Sequence, residues 1–329
     1  MALYLAGDIG GTKTVLALYA LKNNKLLQLE KEYYESARFK SFESILKNFM
    51  QITDIHKVTA ACFGVAGPVV EGVVKTTNLP WTINAAALAK TTGIRDIALL
   101  NDFEAIGYGI PVLEQKDLVR LSTAKVVSQT AKAVIGAGTG LGEGILAWHG
   151  SHYVAIASEG GHSSFAAKTK IDWMLVQHLQ KKLKRDVEWE DVLSGRGLIN
   201  LYEFLRANNY ARESKQVRKL LAHIGAAAIT ENTSKDTLCK KAVELFVRYY
   251  GREASNLGLK AKATGGVYLA GGIAPKIIPF LKKQYFMQEF LGKSRMQHLL
   301  QRIPVFVVTN QEVGLLGAAN FAMHLLETE

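Results

Sequence analysis

The stretch LLNDFEAIGYGI, residues 99–110, marks the point where one buried strand ends and a helix begins. The apolar residues 97–100 are typical of a short buried strand, and the pattern becomes helical after Asn101 and Asp102. A carboxylate is costly to desolvate there, but this edge of an open α/β sheet is where ligands bind. We interpret Asp102 as a candidate general base for a substrate hydroxyl. The alternative from these residues alone is that Asp102 caps the following helix.

The size and composition of the chain indicate a globular protein. Its 329 residues suit about two domains. Hydrophobic residues make up 48% and charged residues 21%, which argues against disorder. No apolar run approaches the roughly 20 residues of a membrane span, so we expect no membrane association. Met1 stands directly before a strand-like segment, and we therefore expect no signal peptide.

The cysteines and the charge exclude two other classes. Cys62 and Cys239 lie in apolar or helical contexts and neither belongs to a CxxC pair, which indicates a reduced, cytoplasmic protein without structural zinc. A net charge of +11 could indicate a nucleic-acid partner. However, the basic residues are scattered, and their one dense cluster, residues 181–185, is followed by four acidic residues within 186–191. We expect no nucleic-acid partner.

A glycine-rich turn, DIGGTKT at residues 8–14, separates two strand-like segments near the start of the chain. Gly10 and Gly11 allow backbone N–H groups to approach an anion, and Thr12 adds a hydroxyl donor. Asp8 suits such a site if Mg²⁺, held through water, lies between the carboxylate and a phosphate. The alternative is an ordinary hairpin turn.

The same plan recurs in the second third of the chain. A strand at residues 133–135 leads into GAGTGLG at 136–142, a returning strand at 143–148 and a third strand at 151–157. This internal repeat of strand, glycine turn, strand and strand predicts two related α/β domains. Two such turns could hold a nucleotide's phosphates, with Gly138, Thr139 and Gly140 at the second turn.

Three further segments carry candidate ligand groups. In SEGGH, residues 158–162, Glu159 and His162 could converge on a small polar ligand, and the alternative is a Glu–His surface pair. Glu190 begins another acidic and glycine-rich turn, EDVLSGRG. A buried strand ends at Gly271 and Gly272, where a flat base could lie close to the backbone; the alternative is a turn that needs room for packing.

Together these motifs resemble those of the bacterial glucokinase family, within the actin-like, RNase H-like ATPase superfamily, over essentially the whole chain. The resemblance implies two RNase H-like α/β domains with a cleft between them. The implied small domain comprises residues 1–111 plus 304–329, and the implied large domain residues 112–303. The family's proteins are ATP-dependent hexose kinases, so ATP, Mg²⁺ and glucose are the implied ligands. A homodimer is also implied.

The resemblance also assigns roles to residues. It implies transfer of the ATP γ-phosphoryl group to the 6-hydroxyl of glucose with Asp102 as general base. The implied sugar ligands are Asn101, Asp102, Glu159, His162 and Glu190. The implied ATP-binding residues are Asp8, Gly10, Gly11, Thr12, Gly138, Thr139, Gly140, Gly271 and Gly272, with Asp8 also orienting Mg²⁺ through water.

Three alternatives remain. Lys13 fits the ROK sugar kinases, because the glucokinase pattern usually has Asn there. However, ROK members carry a cysteine-rich zinc motif after EGGH, and this chain has no cysteine between His162 and Cys239. A non-catalytic sugar or nucleotide sensor would tend to lose the base, which Asn101–Asp102 retains. An actin- or chaperone-like ATPase that works through partner proteins would need no sugar ligands, so Glu159, His162 and Glu190 together argue against it.

Overall fold

The chain, seen here in a computed structural model, is described at residues 2–23, 25–53 and 57–325. The strands are β1 (Leu3–Ile9), β2 (Lys13–Lys22), β3 (Lys25–Glu35), β4 (Val58–Val65), β5 (Val69–Val70), β6 (Val73–Lys75), β7 (Thr82–Asn84), β8 (Asp96–Asn101), β9 (Leu118–Arg120), β10 (Lys132–Ala137), β11 (Leu141–His149), β12 (His152–Ser158), β13 (Val267–Ala270) and β14 (Val305–Val308). The helices are α1 (Phe42–Ile52), α2 (Ala85–Thr92), α3 (Asp102–Gly109), α4 (Lys170–Leu183), α5 (Gly195–Ala207), α6 (Lys215–Ile224), α7 (Ala227–Glu231), α8 (Thr237–Ala261), α9 (Ile278–Leu281), α10 (Gln284–Phe290), α11 (Gln297–Leu300) and α12 (Val313–His324).

The chain divides into two compact units. The first unit contains residues 1–114, 153–155 and 310–329, and the second contains 115–152 and 156–309. The predicted boundary at 303/304 differs from this division, because β14 pairs with β13 and β9 in the sheet of the second unit. Residues 304–309 therefore belong to the second unit. The last four residues of the predicted small domain, 326–329, and Met1, on which the signal-peptide expectation rests, lie outside the described residues.

The five-stranded sheet of the first unit, beside the small sheet β5-β6-β7, brings two predicted site segments to one edge. Its strand order is β3-β2-β1-β4-β8. Strand β1 is antiparallel to β2 and parallel to β4, and β4 is parallel to β8. Asp8 pairs with Gly64, and Val65 pairs with Asn101. The carboxyl ends of these parallel strands therefore place Asp8 and Asp102 at the same edge.

The sheet of the second unit repeats this plan, which confirms the predicted internal repeat. Its order is β12-β11-β10-β13-β14-β9. Strand β10 is antiparallel to β11 and parallel to β13, as β1 is to β2 and β4. The three-residue strand β9, which closes the sheet antiparallel to β14, was not predicted. A strand this short shows too few residues for an alternating pattern to stand out.

Burial of both sheet faces explains why residues 3–7 of β1 are continuously apolar. Leu5 contributes to a core with Phe42 and Phe49 of α1 on one face. Tyr4 contributes to a second core with Leu315 of α12 on the other face. A strand covered on both faces needs apolar side chains at successive positions.

Across the parts of the chain that the structure describes, none of the helices combines the length and apolarity needed to cross a bilayer.

Candidate active site

Asp102 is the first residue of α3, and the helix is capped by the residue before it. The side-chain Oδ1 of Asn101 accepts the N–H of Phe103 at 2.9 Å, and its Nδ2 donates to the Gly67 carbonyl at 3.1 Å. Asn101 therefore ties the end of β8 both to the helix and to the loop after β4. The alternative in which Asp102 caps the helix is wrong, and its side chain is left exposed to solvent.

The carboxylate of Asp102 also helps to hold the start of α3. Its Oδ1 also accepts the Phe103 N–H, at 2.9 Å. Desolvation by the surrounding protein raises the pKa of Asp102, against the lowering effect of the Phe103 N–H and of Asn101. A carboxylate with a raised pKa is a stronger base than an ordinary aspartate, which favours proton transfer.

The first glycine turn is braced by a serine that sequence reasoning missed. The Gly10 N–H donates to the Lys13 carbonyl at 3.0 Å. Ser36 Oγ donates to the Gly10 carbonyl at 2.8 Å, and the Ser36 N–H donates to the Thr12 carbonyl at 3.1 Å. These bonds use the carbonyls at the base of the turn, and Thr12 at its tip stays exposed. No sequence signal marks Ser36, because it follows a strand in an otherwise ordinary context.

Asp8 lies beside Asp102 at the edge of the sheet. Burial, with smaller contributions from Asp102 and Glu312, raises the pKa of Asp8 to about 6, and Lys13 acts in the opposite direction. Glu312 is itself paired with Lys31, whose Nζ lies 2.9 Å from its carboxylate. Within residues 2–23, 25–53 and 57–325, no lysine or arginine forms an ion pair with Asp8. The first unit thus concentrates negative charge that a cation would stabilise.

The second glycine turn rests on Glu190. The Gly138 N–H donates to the Gly140 carbonyl at 2.9 Å, and Glu190 Oε2 accepts the Leu141 N–H at 2.9 Å. A β-carbon at Gly140 would stand 2.6 Å from Glu190 Oε2, so only glycine fits there without a shift. Arg196 NH2 lies 2.9 Å from Glu190 Oε1. Glu190 therefore supports the turn with one oxygen and pairs with an exposed arginine through the other.

His162 is paired with Glu188, a residue that sequence reasoning missed. Its Nδ1 lies 2.9 Å from Glu188 Oε2. The hydrogen bond to Glu188 raises the pKa of His162, and the charges of Glu190 and Glu159 add to this effect. Glu159 precedes the short 3-10 turn Gly160–His162 and is exposed. The predicted alternative of a Glu159–His162 surface pair is therefore wrong in its partner. Glu188 lies 26 positions after His162, so the sequence carries no local signal for this pair.

The end of β13 packs against the start of the second glycine turn. Gly271 has a φ of 80° and lies on Ala137, where a β-carbon would be 2.5 Å from the Ala137 carbonyl oxygen. A side chain at this position would be strained and would clash. The Ile273 N–H donates to the same carbonyl at 3.2 Å. At Gly272 no atom lies within 4 Å of the position of a β-carbon. The backbone at Gly272 is therefore open to a ligand.

Each unit brings part of the predicted set together. The first unit gathers Asp8, the glycine turn 10–12, Asn101 and Asp102. In the second unit, the start of β11 joins the remaining groups, because Leu141 contacts both Glu190 and Gly161. The second unit therefore links the glycine turn 138–140 to Glu190, to the Glu159–His162 turn and, through Ala137, to Gly271 and Gly272.

Comparison with known proteins decides the family. A model of the glucokinase family matches residues 5–325. The chain belongs to the glucokinase family. A glucokinase of Nostoc punctiforme is 40% identical over 345 residues, covering 99% of this chain and 100% of that protein. A glucokinase of Synechocystis is 42% identical over 344 residues, covering 96% of each.

Solved structures of glucokinases share this fold. The crystal structure of a glucokinase from an Antarctic psychrotroph superimposes with a TM-score of 0.89 at 30% identity, covering 98% of this chain and 99% of that one. A ROK-family glucokinase from Streptomyces griseus, in complex with glucose and AMPPNP, superimposes with a TM-score of 0.63 at 19% identity. That second likeness concerns the fold alone. The predicted actin-like ATPase fold is confirmed, and the ROK-like Lys13 does not remove the chain from the glucokinase family.

Proposed function

We propose that this glucokinase-family chain transfers the γ-phosphoryl group of ATP to the 6-hydroxyl of glucose, with Asp102 as general base. The observation that carries the proposal is the position of Asp102. It stands at the start of α3, beside Asp8 and at the same sheet edge as the first glycine turn, in a chain with glucokinase relatives of full length. A base and a phosphate-binding turn are the parts that phosphoryl transfer to a hydroxyl requires.

Asp102 would accept the hydroxyl proton as the oxygen attacks phosphorus. The Phe103 N–H donates to Oδ1 at 2.9 Å. The exposed carboxylate can still accept a sugar hydroxyl through a lone pair that this bond leaves open. Asn101 would keep the carboxylate in place through its cap and its bond to Gly67, and its amide oxygen retains a lone pair for the sugar.

The sugar hydroxyls suit the acceptors of the second unit. Each hydroxyl is a donor, and Glu159 and Glu190 offer carboxylate oxygens. The Glu188 carboxylate favours the charged imidazolium of His162, which would present Nε2–H to a sugar oxygen. These residues bind and orient the sugar and take no part in the proton transfer.

The residues present fit a magnesium nucleotide. No group of three or more His, Cys, Asp or Glu side chains in the described ranges could hold a metal, so an ion here would take most ligands from water and phosphate. Asp8, half-buried and without an ion-paired lysine or arginine among the described residues, suits such an ion through water. Bound Mg²⁺ would neutralise charge on the transferring phosphates. Thr12, Gly10 and Gly11 would donate to phosphate oxygens, as would Gly138, Thr139 and Gly140, and Gly271 and Gly272 would lie against the adenosine.

We further propose a cytoplasmic homodimer. Both cysteines are buried and unpaired, which suits a reducing compartment. The homodimer rests on the family resemblance, and light scattering of the purified protein tests it.

Replacement of Glu159 by alanine is expected to raise the KM for glucose about 10- to 100-fold, the value of a hydrogen bond to a charged group. The KM for ATP should change little, because Glu159 is assigned to the sugar. Steady-state kinetics with each substrate varied in turn measures both constants. Asp186→Ala, at another exposed acid of the same unit, is the matched control. A change confined to the ATP KM would contradict the assignment.

The experiment that tests the function is a coupled assay of hexose 6-phosphate formation, with ATP and Mg²⁺, across a panel of hexoses. Strong turnover on glucose supports the proposal. Turnover on another hexose would keep the mechanism and change the substrate. No turnover, with glucose still bound in calorimetry, would favour the sensor alternative.

A further inference from the structure

Glu143 is a buried carboxyl that the steps proposed above do not use. It lies in β11, shortly after the second glycine turn, and is 2% exposed. Its Oε1 has no hydrogen-bond partner among the described residues. Buried polar atoms nearly always have a partner, so an orphaned carboxyl oxygen needs an explanation.

The other oxygen of Glu143 lies directly under the turn that carries the candidate sugar ligands. A β-carbon on Gly160 would overlap Glu143 Oε2 and would stand 3.1 Å from Ser158 Oγ. A β-carbon on Gly161 would likewise overlap the Leu141 carbonyl. The Ser158 Oγ accepts the Gly160 N–H at 3.0 Å, which closes the turn from the other side. The first residues of β11 therefore pack directly against the turn that carries Glu159 and His162.

The surroundings of Glu143 disfavour its ionised form, mainly through burial. Three residues of α8 interact with it electrostatically or lie near it: Tyr250, Glu253 and Lys260. Glu253 is fully buried, accepts from Asn256 Nδ2 at 2.7 Å, and stands 3.9 Å from Lys260 Nζ. Among the described residues, Lys260 is ion-paired with Glu253 and not with Glu143. Burial, with a smaller contribution from Glu253 and against Lys260, raises the pKa of Glu143 to about 7.

We propose that Glu143 is a positioning residue for the sugar-binding turn and that it acts in its protonated form. A neutral carboxyl costs less to bury under Gly160 than an ionised one, and so holds Glu159 and His162 in place. An ionised carboxyl needs hydrogen-bond donors, which the described residues do not offer to Oε1, and it gains them by displacing Gly160. The identity of the sugar in this inference rests on the proposed function, whereas the displacement of the turn is independent of that function.

The direction of the pH effect follows from the raised pKa. The folded chain holds the Glu143 proton more tightly than the unfolded chain, where the value is near 4.5. The contribution of the protonated carboxyl is fully present below that value and is lost as the pH rises through about 7. The turn is therefore ordered in mildly acidic solution and loosened above neutrality.

The test compares the wild type with Glu143→Gln, which keeps the shape of the neutral carboxyl and does not ionise, from pH 5.5 to 8.5. Hydrogen exchange of residues 159–163 reports the turn without any sugar, and calorimetry gives the glucose Kd. The ratio of the wild-type Kd to the variant Kd should be near one at pH 5.5 and rise to about 3- to 10-fold at pH 8.5. A ratio of this size is expected when only part of the wild-type population keeps the turn in its binding position. Protection of the turn should fall in the wild type alone.

Glu253→Gln is the matched control, because it removes a second buried carboxyl from α8 without touching Gly160. It should keep a pH-dependent turn, with the midpoint moved to lower pH because a repulsive charge is gone. Equal protection in the wild type and Glu143→Gln at every pH would overturn the inference. Absence of glucose binding would instead contradict the proposed function and leave the exchange result to decide the inference.

Discussion

Asp102→Asn is expected to lower kcat about 10²- to 10⁴-fold, the range that general-base catalysis contributes. Asparagine keeps the size of aspartate and an oxygen that can accept the Phe103 N–H, which lies 2.9 Å from Oδ1 in the wild type. The helix start and the Asn101 cap should therefore survive. The variant loses only the capacity to take the hydroxyl proton. Glucose binding should weaken by less than about 10-fold, because an amide oxygen still accepts from the sugar.

The pH profile adds a second readout to this experiment. Because desolvation raises the pKa of Asp102 above the ordinary 3.8, the acid limb of kcat should lie at higher pH than an ordinary aspartate gives. Turnover requires the carboxylate, so activity is lost as the pH falls through that pKa. The residual activity of Asp102→Asn should lack this limb.

Glu104→Gln is the control for Asp102→Asn. Glu104 lies on the same helix, its carboxyl is partly buried, and burial raises its pKa too. It has no assigned role in transfer, so kcat should stay within a few-fold of the wild type. Near-normal turnover in Asp102→Asn would end the general-base assignment, and an equal loss in both variants would indicate disturbed folding of α3.

The repeated sheet was predictable because its signals are local. Two runs of apolar residues around each glycine turn are enough to predict β1–β2 and β10–β11, and the apolar run before Asn101 predicts β8. The assignment of residues 304–309 needed long-range information. Their strand pattern was visible, but its partners, β13 and β9, are distant in sequence.

The candidate site was predictable in its residue types and less so in its pairings. The motif positions identify Glu159 and His162, but the histidine's partner is Glu188, which lies 26 positions away. Glu143 left a signal that is visible in hindsight: a charged residue at the inward position of a strand, between Leu141 and Ile145. Such a residue indicates a buried polar role, yet only the fold shows that Gly160 covers it.

Arg252→Met is expected to lower the free energy of unfolding of the second unit by about 3–5 kcal/mol, the cost of breaking a buried ion pair from one side. Arg252 lies in α8 and is 6% exposed, and Asp172 in α4 is 1% exposed. Their atoms NH1 and Oδ2 are 2.8 Å apart. Arg252 Nε also lies 3.3 Å from Glu289 Oε2, which ties α10 to the pair.

Asp172 makes the loss severe because it stays buried and charged. It accepts the backbone N–H groups of Lys168 and Thr169 at the start of α4 and the Tyr249 hydroxyl at 3.0 Å. These bonds keep its carboxylate in place after the arginine is gone. Urea unfolding followed by tryptophan fluorescence suits the measurement, since Trp148, Trp173 and Trp189 all lie in the second unit.

Arg248→Met separates the buried pair from arginine loss in general. Arg248 lies one turn earlier on α8 and faces the same Glu289, but its side chain is 34% exposed and the nearest N–O distance is 3.8 Å. Its replacement should cost less than about 1 kcal/mol. Equal losses in the two variants would contradict a special role for burial.

The pH dependence of the Arg252→Met deficit distinguishes an orphaned charge from lost packing. In the wild type, desolvation opposes ionisation of Asp172, but the Lys168 N–H and Arg252 together hold its pKa below the ordinary 3.8. Its contribution to stability is therefore present above that value and is lost as the pH falls. Without Arg252, one of the partners that oppose the effect of burial is gone, so the pKa of Asp172 should be higher than in the wild type. Protonation should therefore remove the unpaired buried charge of the variant at a higher pH than the pH at which Asp172 titrates in the wild type. The deficit should be largest at neutral pH and shrink in acid, whereas a packing defect would cost the same at both.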